Sequence, residues 1–170
     1  MARSPFRIGV TELRRRPGTQ REVHLGAPLP GLAITASRVA DDEEVQVDAV
    51  LESIEGAAVT ISGTVSSRWQ GECRRCLDLV QGDLEATLSE VFEVAPTDGE
   101  TYPIEGDEVD IEPVVRDAVL LQLPLAPLCR PDCPGPAPES FPTSVAGEDE
   151  RDDGVPPDPR WAALEQLKFD

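Results

Sequence analysis

A chain of 170 residues and 18.4 kDa has the size of one ordinary domain, large enough to bury a core of its own. Its 39% hydrophobic share, 4% aromatic content, 17 prolines and 13 glycines favour strands and turns over a long helical bundle. Fifteen Lys/Arg against 33 Asp/Glu give a net charge of -18, which repels a phosphate backbone over most of the surface and excludes a protein that coats nucleic acid.

The charge is unevenly placed. Residues 1–40 contain seven arginines and two acids, whereas residues 41–170 hold the other eight basic residues and 31 acids. The N-terminal stretch, about 1–22, reads as a basic arm on an acidic body. Arg14, Arg15, Arg16 and Arg21 are its candidate contacts with RNA. His24, the only histidine, reads as an ordinary surface or strand residue.

Past the arm, the alternation of side chains predicts strand after strand. Leu32, Ile34 and Ala36 form the first run, Val45, Val47, Ala49 and Leu51 the second, and Val59, Ile61, Gly63 and Val65 the third. The Ser53 to Ala57 link is short enough for a hairpin turn. Leu84, Ala86, Leu88 and Val91 to Val94 suggest a further strand, with a helix over Glu85 to Val91 as the alternative. Ala95 to Gly106 reads as a loop.

One main helix is expected from Asp110 as N-cap, with Glu112 and Pro113 in its first turn. Ile111, Val114, Val115, Ala118 and Gln122 share helical spacing, and Pro124 ends the run. The expected fold is α+β: an antiparallel, barrel-like sheet packed with this helix, in one domain over 1–128. A Cys/Pro-rich acidic linker over 129–157 follows, too poor in apolar surface to order itself. In the final stretch, 158–170, Asp158 as N-cap and Pro159 start a short helix with Trp161, Leu164 and Leu167 along one side.

Met1 to Val10 lacks the apolar stretch of a signal peptide. The most apolar segment, Ala118 to Leu128, is interrupted by Gln122, Pro124 and Pro127 and falls short of the roughly 20 residues a bilayer needs. A cytoplasmic protein is expected, with no membrane contact. In that reducing compartment four cysteines are thiols or metal ligands rather than structural disulfides.

Cys73 and Cys76 form a C-x-x-C, and Cys129 and Cys133 a C-x-x-x-C, with 52 residues between the pairs. Two short-spaced pairs can each supply one edge of a zinc tetrahedron. Zinc shared by all four is one reading. Free thiols packed as small residues are the second, and redox activity, with Arg74 and Arg75 lowering a thiolate pKa, is the third. No Gly-rich phosphate loop, nucleophile elbow or nucleophile-base pair stands out, so no enzymatic activity is expected.

Cys73-Arg74-Arg75-Cys76-Leu77 resembles the C-x-R-C-L element of the YceD-like proteins, the large ribosomal RNA accumulation family. Asp110-Ile111-Glu112-Pro113-Val114-Val115-Arg116-Asp117 is similar to that family's helix start. Leu123-Pro124, Pro127-Leu128-Cys129, Cys133-Pro134-Gly135 and Asp158-Pro159-Arg160-Trp161 follow in the family's order, so the resemblance covers most of residues 6–167, with an actinobacterial composition. It implies a non-enzymatic bacterial factor in large-subunit assembly or rRNA accumulation. The implied partner is a basic large-subunit ribosomal protein or a pre-ribosomal particle, bound through motif residues such as Asp110, Arg116 and Trp161 and through acidic stretches such as Asp41 to Glu44 and Glu105 to Asp110. Related proteins carry further cysteines after the position of Gly135, where this chain has Pro136-Ala137-Pro138. Either zinc binding is lost here, or Cys129 and Cys133 use Cys73 and Cys76 as their partners. The other class of function is a zinc-binding or redox module in which the cysteines are the working part.

Overall fold

The computed structural model describes residues 4–54 and 58–140. Two helices and eight strands follow one another as β1 (Arg7–Gly9), α1 (Thr11–Arg15), β2 (Gln20–Pro28), β3 (Ser37–Val39), β4 (Glu44–Ser53), β5 (Val59–Glu72), β6 (Leu79–Glu93), β7 (Tyr102–Glu105), β8 (Glu108–Asp110) and α2 (Glu112–Gln122). The sheet runs β1-β8-β7-β6-β5-β4-β2, with β3 on β5. It is a curled, mostly antiparallel half-barrel. Among the described residues no helix is long and apolar enough to cross a membrane.

The central hairpin follows from period-2 alternation. In β4, Val45, Val47, Ala49 and Leu51 are buried, and Val59, Ile61 and Val65 in β5 and Leu84, Ala86 and Leu88 in β6 cover the same core. The β6 alternation settles the sheet over the helical alternative, because buried residues two apart share a face only in an extended chain. β5 and β6 pair without interruption from Val59 opposite Phe92 to Glu72 opposite Leu79. On its other edge β5 is shared: β4 pairs with its first half and β3 with Trp69 to Gly71. At Gly63 the β4 backbone comes so close that a Cβ would sit 2.5 Å from Ala49 Cα. A residue with no side chain permits that close approach.

The N-terminal stretch is a departure from the expected arm. Phe6, Ile8, Val10 and Leu13 are buried, β1 pairs with β8, and β2 pairs with β4 from Glu44 to Glu52. Three apolar side chains at alternating positions, with Leu13 from α1, bury enough surface to override the surrounding arginines. The Leu32, Ile34, Ala36 strand is also corrected: that segment is irregular apart from a bridge between Ala33 and Arg38, and the strand proper is β3. The Ala95 to Gly106 loop contains β7, which pairs parallel with β6 through Phe92 and Tyr102. Their rings lie 5.6 Å apart.

Helix α2 begins one residue later than expected. Ile111 occupies the cap position, yet the Asp110 carboxylate still accepts the Glu112 backbone N–H at 3.0 Å. Val114, Val115 and Val119 face β6, with Ile111 and Leu123 buried at the two ends. Gln122 is exposed, so the stripe closes on Leu123. The linker expectation fails at its start, since Cys133 is buried and the chain around it packs on the body. The hairpin turn after Ile54, the acidic run of residues 148–153 and the C-terminal helix with Trp161 lie outside the described residues.

Candidate metal centre

Cys73 and Cys76 stand at the tip of the long β5–β6 hairpin, immediately beyond the Glu72–Leu79 pair. The tip is a tight knuckle. The Cys73 N–H donates to the Asp78 carbonyl at 2.8 Å and the Leu77 N–H to the Cys73 carbonyl at 2.9 Å, with Leu77 at φ 65°. The second pair comes from the segment that follows α2. After α2, the Ser37 hydroxyl donates to the Pro124 carbonyl at 2.9 Å, and the Arg74 N–H donates to the Pro127 carbonyl at 2.9 Å. These bonds lay the segment over β3 and the end of β5, delivering Cys129 and Cys133 to the hairpin tip.

The close fit depends on Gly71. A Cβ there would lie 2.5 Å from the Ala36 carbonyl oxygen and 3.3 Å from Pro127 Cγ. Arg75, between the first two thiols, completes the clamp by donating to the carbonyls of Pro131 and Cys133 at 3.1 and 3.0 Å.

All four Sγ atoms lie within 4.8 Å of one another. Cys73 and Cys133 are 3.8 Å apart and Cys76 and Cys129 3.7 Å, so the close contacts run between the pairs. A zinc–sulfur bond of about 2.3 Å in a tetrahedron requires a sulfur–sulfur edge of about 3.8 Å. Both close contacts match that edge. They are far longer than the roughly 2 Å of a disulfide, and all four cysteines are free.

The electrostatics suit a ligand set. Backbone N–H groups of Cys76 and Cys129 point at the Cys73 sulfur and, against its burial, bring that thiol down to about 6. At Cys76 the Asp78 N–H pulls the thiol down most strongly, but burial and the contacts with Cys73, the Asp78 carboxylate and Cys133 outweigh it and raise the value. Cys129 is raised by its contact with the Cys133 thiol and then by desolvation. Four crowded sulfurs cannot all ionise unless a cation joins them. Cys73, the most acidic of the three, is fully buried, whereas a redox nucleophile has to reach its substrate. The donor set therefore fits zinc, with Cys73, Cys76, Cys129 and Cys133 as the residues that would hold it.

The other expected contacts lie elsewhere. The Arg14 guanidinium donates to the Gly106 carbonyl at 2.8 Å and pairs with Asp107 at 3.2 Å. Arg21 donates to the Gly9 carbonyl at 2.9 Å, and Arg15 pairs with Glu12 on α1. Arg16 is exposed, with no side-chain partner among the described residues. Arg7, not singled out from sequence, bridges Glu105 and Asp110 at 3.0 and 3.3 Å. Arg116 pairs with Glu112 at 3.2 Å and donates to the Pro30 carbonyl at 2.9 Å. The chain's own arginines thus engage much of the Glu105 to Asp110 stretch. The acids left facing solvent include Asp42, Glu43, Glu44, Asp83 and Glu85, around a groove of about 590 Å³ between β4, β5 and β6.

A half-barrel sheet whose hairpin tip and helix exit present four convergent cysteines defines a cysteine-knuckle α+β protein. Residues 61–168 match the family described as large ribosomal RNA subunit accumulation protein YceD, and the chain belongs to that family. It is 37% identical over 174 aligned positions to an uncharacterized protein of Mycobacterium tuberculosis, covering 96% of this chain and 82% of the relative. A Mycobacterium leprae protein, also uncharacterized, is 31% identical over 96% of this chain and 78% of its own length. The uncharacterized YlbN of Bacillus subtilis is 32% identical over 67% of this chain and 69% of its own. No solved structure matches the chain.

Proposed function

We propose that the protein is a non-enzymatic, cytoplasmic factor in large ribosomal subunit assembly, built around one structural zinc, that holds a basic large-subunit ribosomal protein or a pre-ribosomal particle. Membership of a family named for large-subunit rRNA accumulation carries the reading. The net charge of -18 supports a basic protein rather than naked RNA as the main partner. The groove flanked by Asp42 to Glu44, Asp83 and Glu85 is the face best suited to it, because these five acids outnumber Arg68, the one basic residue in its lining. Of the four arginines singled out for RNA, Arg14 and Arg21 are bonded across the fold, while Arg15 pairs only with Glu12 on its own helix and Arg16 has no side-chain partner among the described residues, so an rRNA contact among these four falls to Arg15 and Arg16.

Zinc, when bound, supplies a cross-link between the β5–β6 tip and the exit of α2. The purified protein should carry one zinc per chain, and Cys73→Ser or Cys129→Ser should release it. Depletion in cells should lower mature large-subunit rRNA relative to small-subunit rRNA, and affinity purification should recover a basic large-subunit protein whose binding weakens with salt. An unchanged rRNA ratio, together with metal-free protein that reduces disulfides, would replace this reading with a redox module.

A further inference from the structure

The sheet has a gap in its pairing. β6 is joined along one edge to β5 over its whole length, but β7 meets its other edge only at Phe92 and Glu93. From Leu79 to Val91 that edge has no neighbouring strand among the described residues, and no backbone hydrogen bond from outside the ladder reaches it. Helix α2 packs on the buried face of β6, since Val114, Val115 and Val119 share one core with Leu84, Ala86 and Leu88. The opposite face is exposed at Asp83, Glu85, Thr87 and Ser89.

A row of unpaired N–H and C=O groups is a template for another strand, and proteins blunt long edges with lysine, proline or a bulge. Between Leu79 and Val91 there is no lysine, arginine or proline, and the register with β5 never slips. The edge strand β2 differs. Its charges are mixed, with Arg21, Glu22 and His24, and it ends on Pro28, which has no N–H to offer.

We infer that the open edge of β6 receives an extended basic segment of the partner protein as an added strand. The inference rests on the reading of that partner as a basic protein and names how it is held. Charge selects the occupant. Asp83 and Glu85 stand on the exposed face of the edge strand, and Asp42, Glu43 and Glu44 line the same groove, against Arg68 alone. A second copy pairing edge to edge about a two-fold axis would bring the Asp83 and Glu85 of both chains onto one face, where like charges repel. A segment with Lys or Arg at every second position sets its cations beside these acids, because alternate side chains of a strand share a face. Main-chain bonds then supply affinity and the acid row supplies selection.

The test uses the full chain, isotope-labelled for NMR, and a short capped peptide of alternating lysine and valine at low ionic strength. The peptide should bind saturably and more weakly as salt rises, and alternate amides between Val80 and Glu90 should exchange with solvent more slowly once it is bound. Methylating the backbone nitrogens of one alternate set, the set facing β6, should weaken binding about tenfold or more by removing several hydrogen bonds. Methylating the other set, which faces solvent, should be tolerated. Asp83→Asn with Glu85→Gln, both at exposed positions, should weaken binding and flatten its salt dependence. Binding that leaves the amides unprotected, or that tolerates both methylated peptides, would overturn the added strand while leaving a basic partner on the groove in place. Edge amides already slow to exchange in the free monomer, protection that appears only on concentrating the protein alone, or no binding of the parent peptide would overturn the inference too. The large-subunit role is decided separately by the rRNA ratio on depletion.

Discussion

The Arg75 guanidinium, held between the two cysteines of the first knuckle, lies 3.0 Å from the carbonyl oxygen of Cys133 in the second. A side chain on the hairpin tip thus positions the backbone of the segment that brings the distant thiols. Partners of this kind orient ligands before metal arrives, and losing one typically costs about 10- to 100-fold in metal affinity. Arg75→Ala should therefore weaken zinc retention by about that factor with little change in far-UV circular dichroism. Competition with a chromophoric chelator measures it, and affinity equal to the parent's would show the clamp to be incidental.

Gly71→Ala should be more damaging. The added methyl would press on the Ala36 carbonyl and Pro127, moving β3 or the second knuckle. Overpacking of this kind costs about 1–3 kcal/mol, read by urea denaturation, and zinc should be released at lower chelator concentration. Gly99→Ala serves as the contrast for crowding, since nothing lies within 4 Å of its added Cβ. That variant should leave zinc release unchanged, whatever its positive φ costs the turn.

The arginines of the N-terminal segment divide into Arg14 and Arg21, bonded across the fold, and Arg15 and Arg16, which are not, Arg15 pairing only with Glu12 on its own helix. Arg14→Ala removes the partner of the Gly106 carbonyl and of Asp107 and should cost about 1 kcal/mol of stability. Arg16→Ala should leave stability unchanged. If the segment touches rRNA, Arg16→Ala and Arg15→Ala should flatten the salt dependence of binding, whereas an equal loss of stability in all three variants would contradict the division.

His24 on β2 contacts Asp48 at 2.6 Å on the open face of the sheet. That hydrogen bond, reinforced by the charges of Asp48 and Glu22, outweighs slight desolvation and raises the imidazole above 6.5. A raised folded-state value stabilises the fold below pH 6.5, and the contribution disappears as pH rises through the folded value. Asp48→Asn should bring the histidine titration, followed by NMR, back toward 6.5. A titration unmoved by that change would assign the shift elsewhere.

Much of the fold was legible in local pattern. Val45 to Leu51, Val59 to Val65 and Leu84 to Leu88 alternate cleanly because each strand buries one face, and Ile111 to Val119 carries the helical spacing. In the N-terminal segment two signals compete: the arginines suggest an exposed arm, whereas the alternation of Phe6, Ile8 and Val10 marks the strand that the core buries. β7 could not be read at all: four residues including Pro103 carry too little pattern, and their parallel pairing with β6 is a long-range choice.

The sequence by itself determined the two cysteine pairs, each short enough for one turn, and the alternation that makes a sheet around them. Only the tertiary structure decided that pairs 52 residues apart meet, and that arginines near the N-terminus engage acids of β7, β8 and the turn between them. The reason lies in range. Periodicity and spacing express forces between neighbours in the chain, whereas the meeting of the hairpin tip with the exit of α2 depends on the summed packing of every element between them.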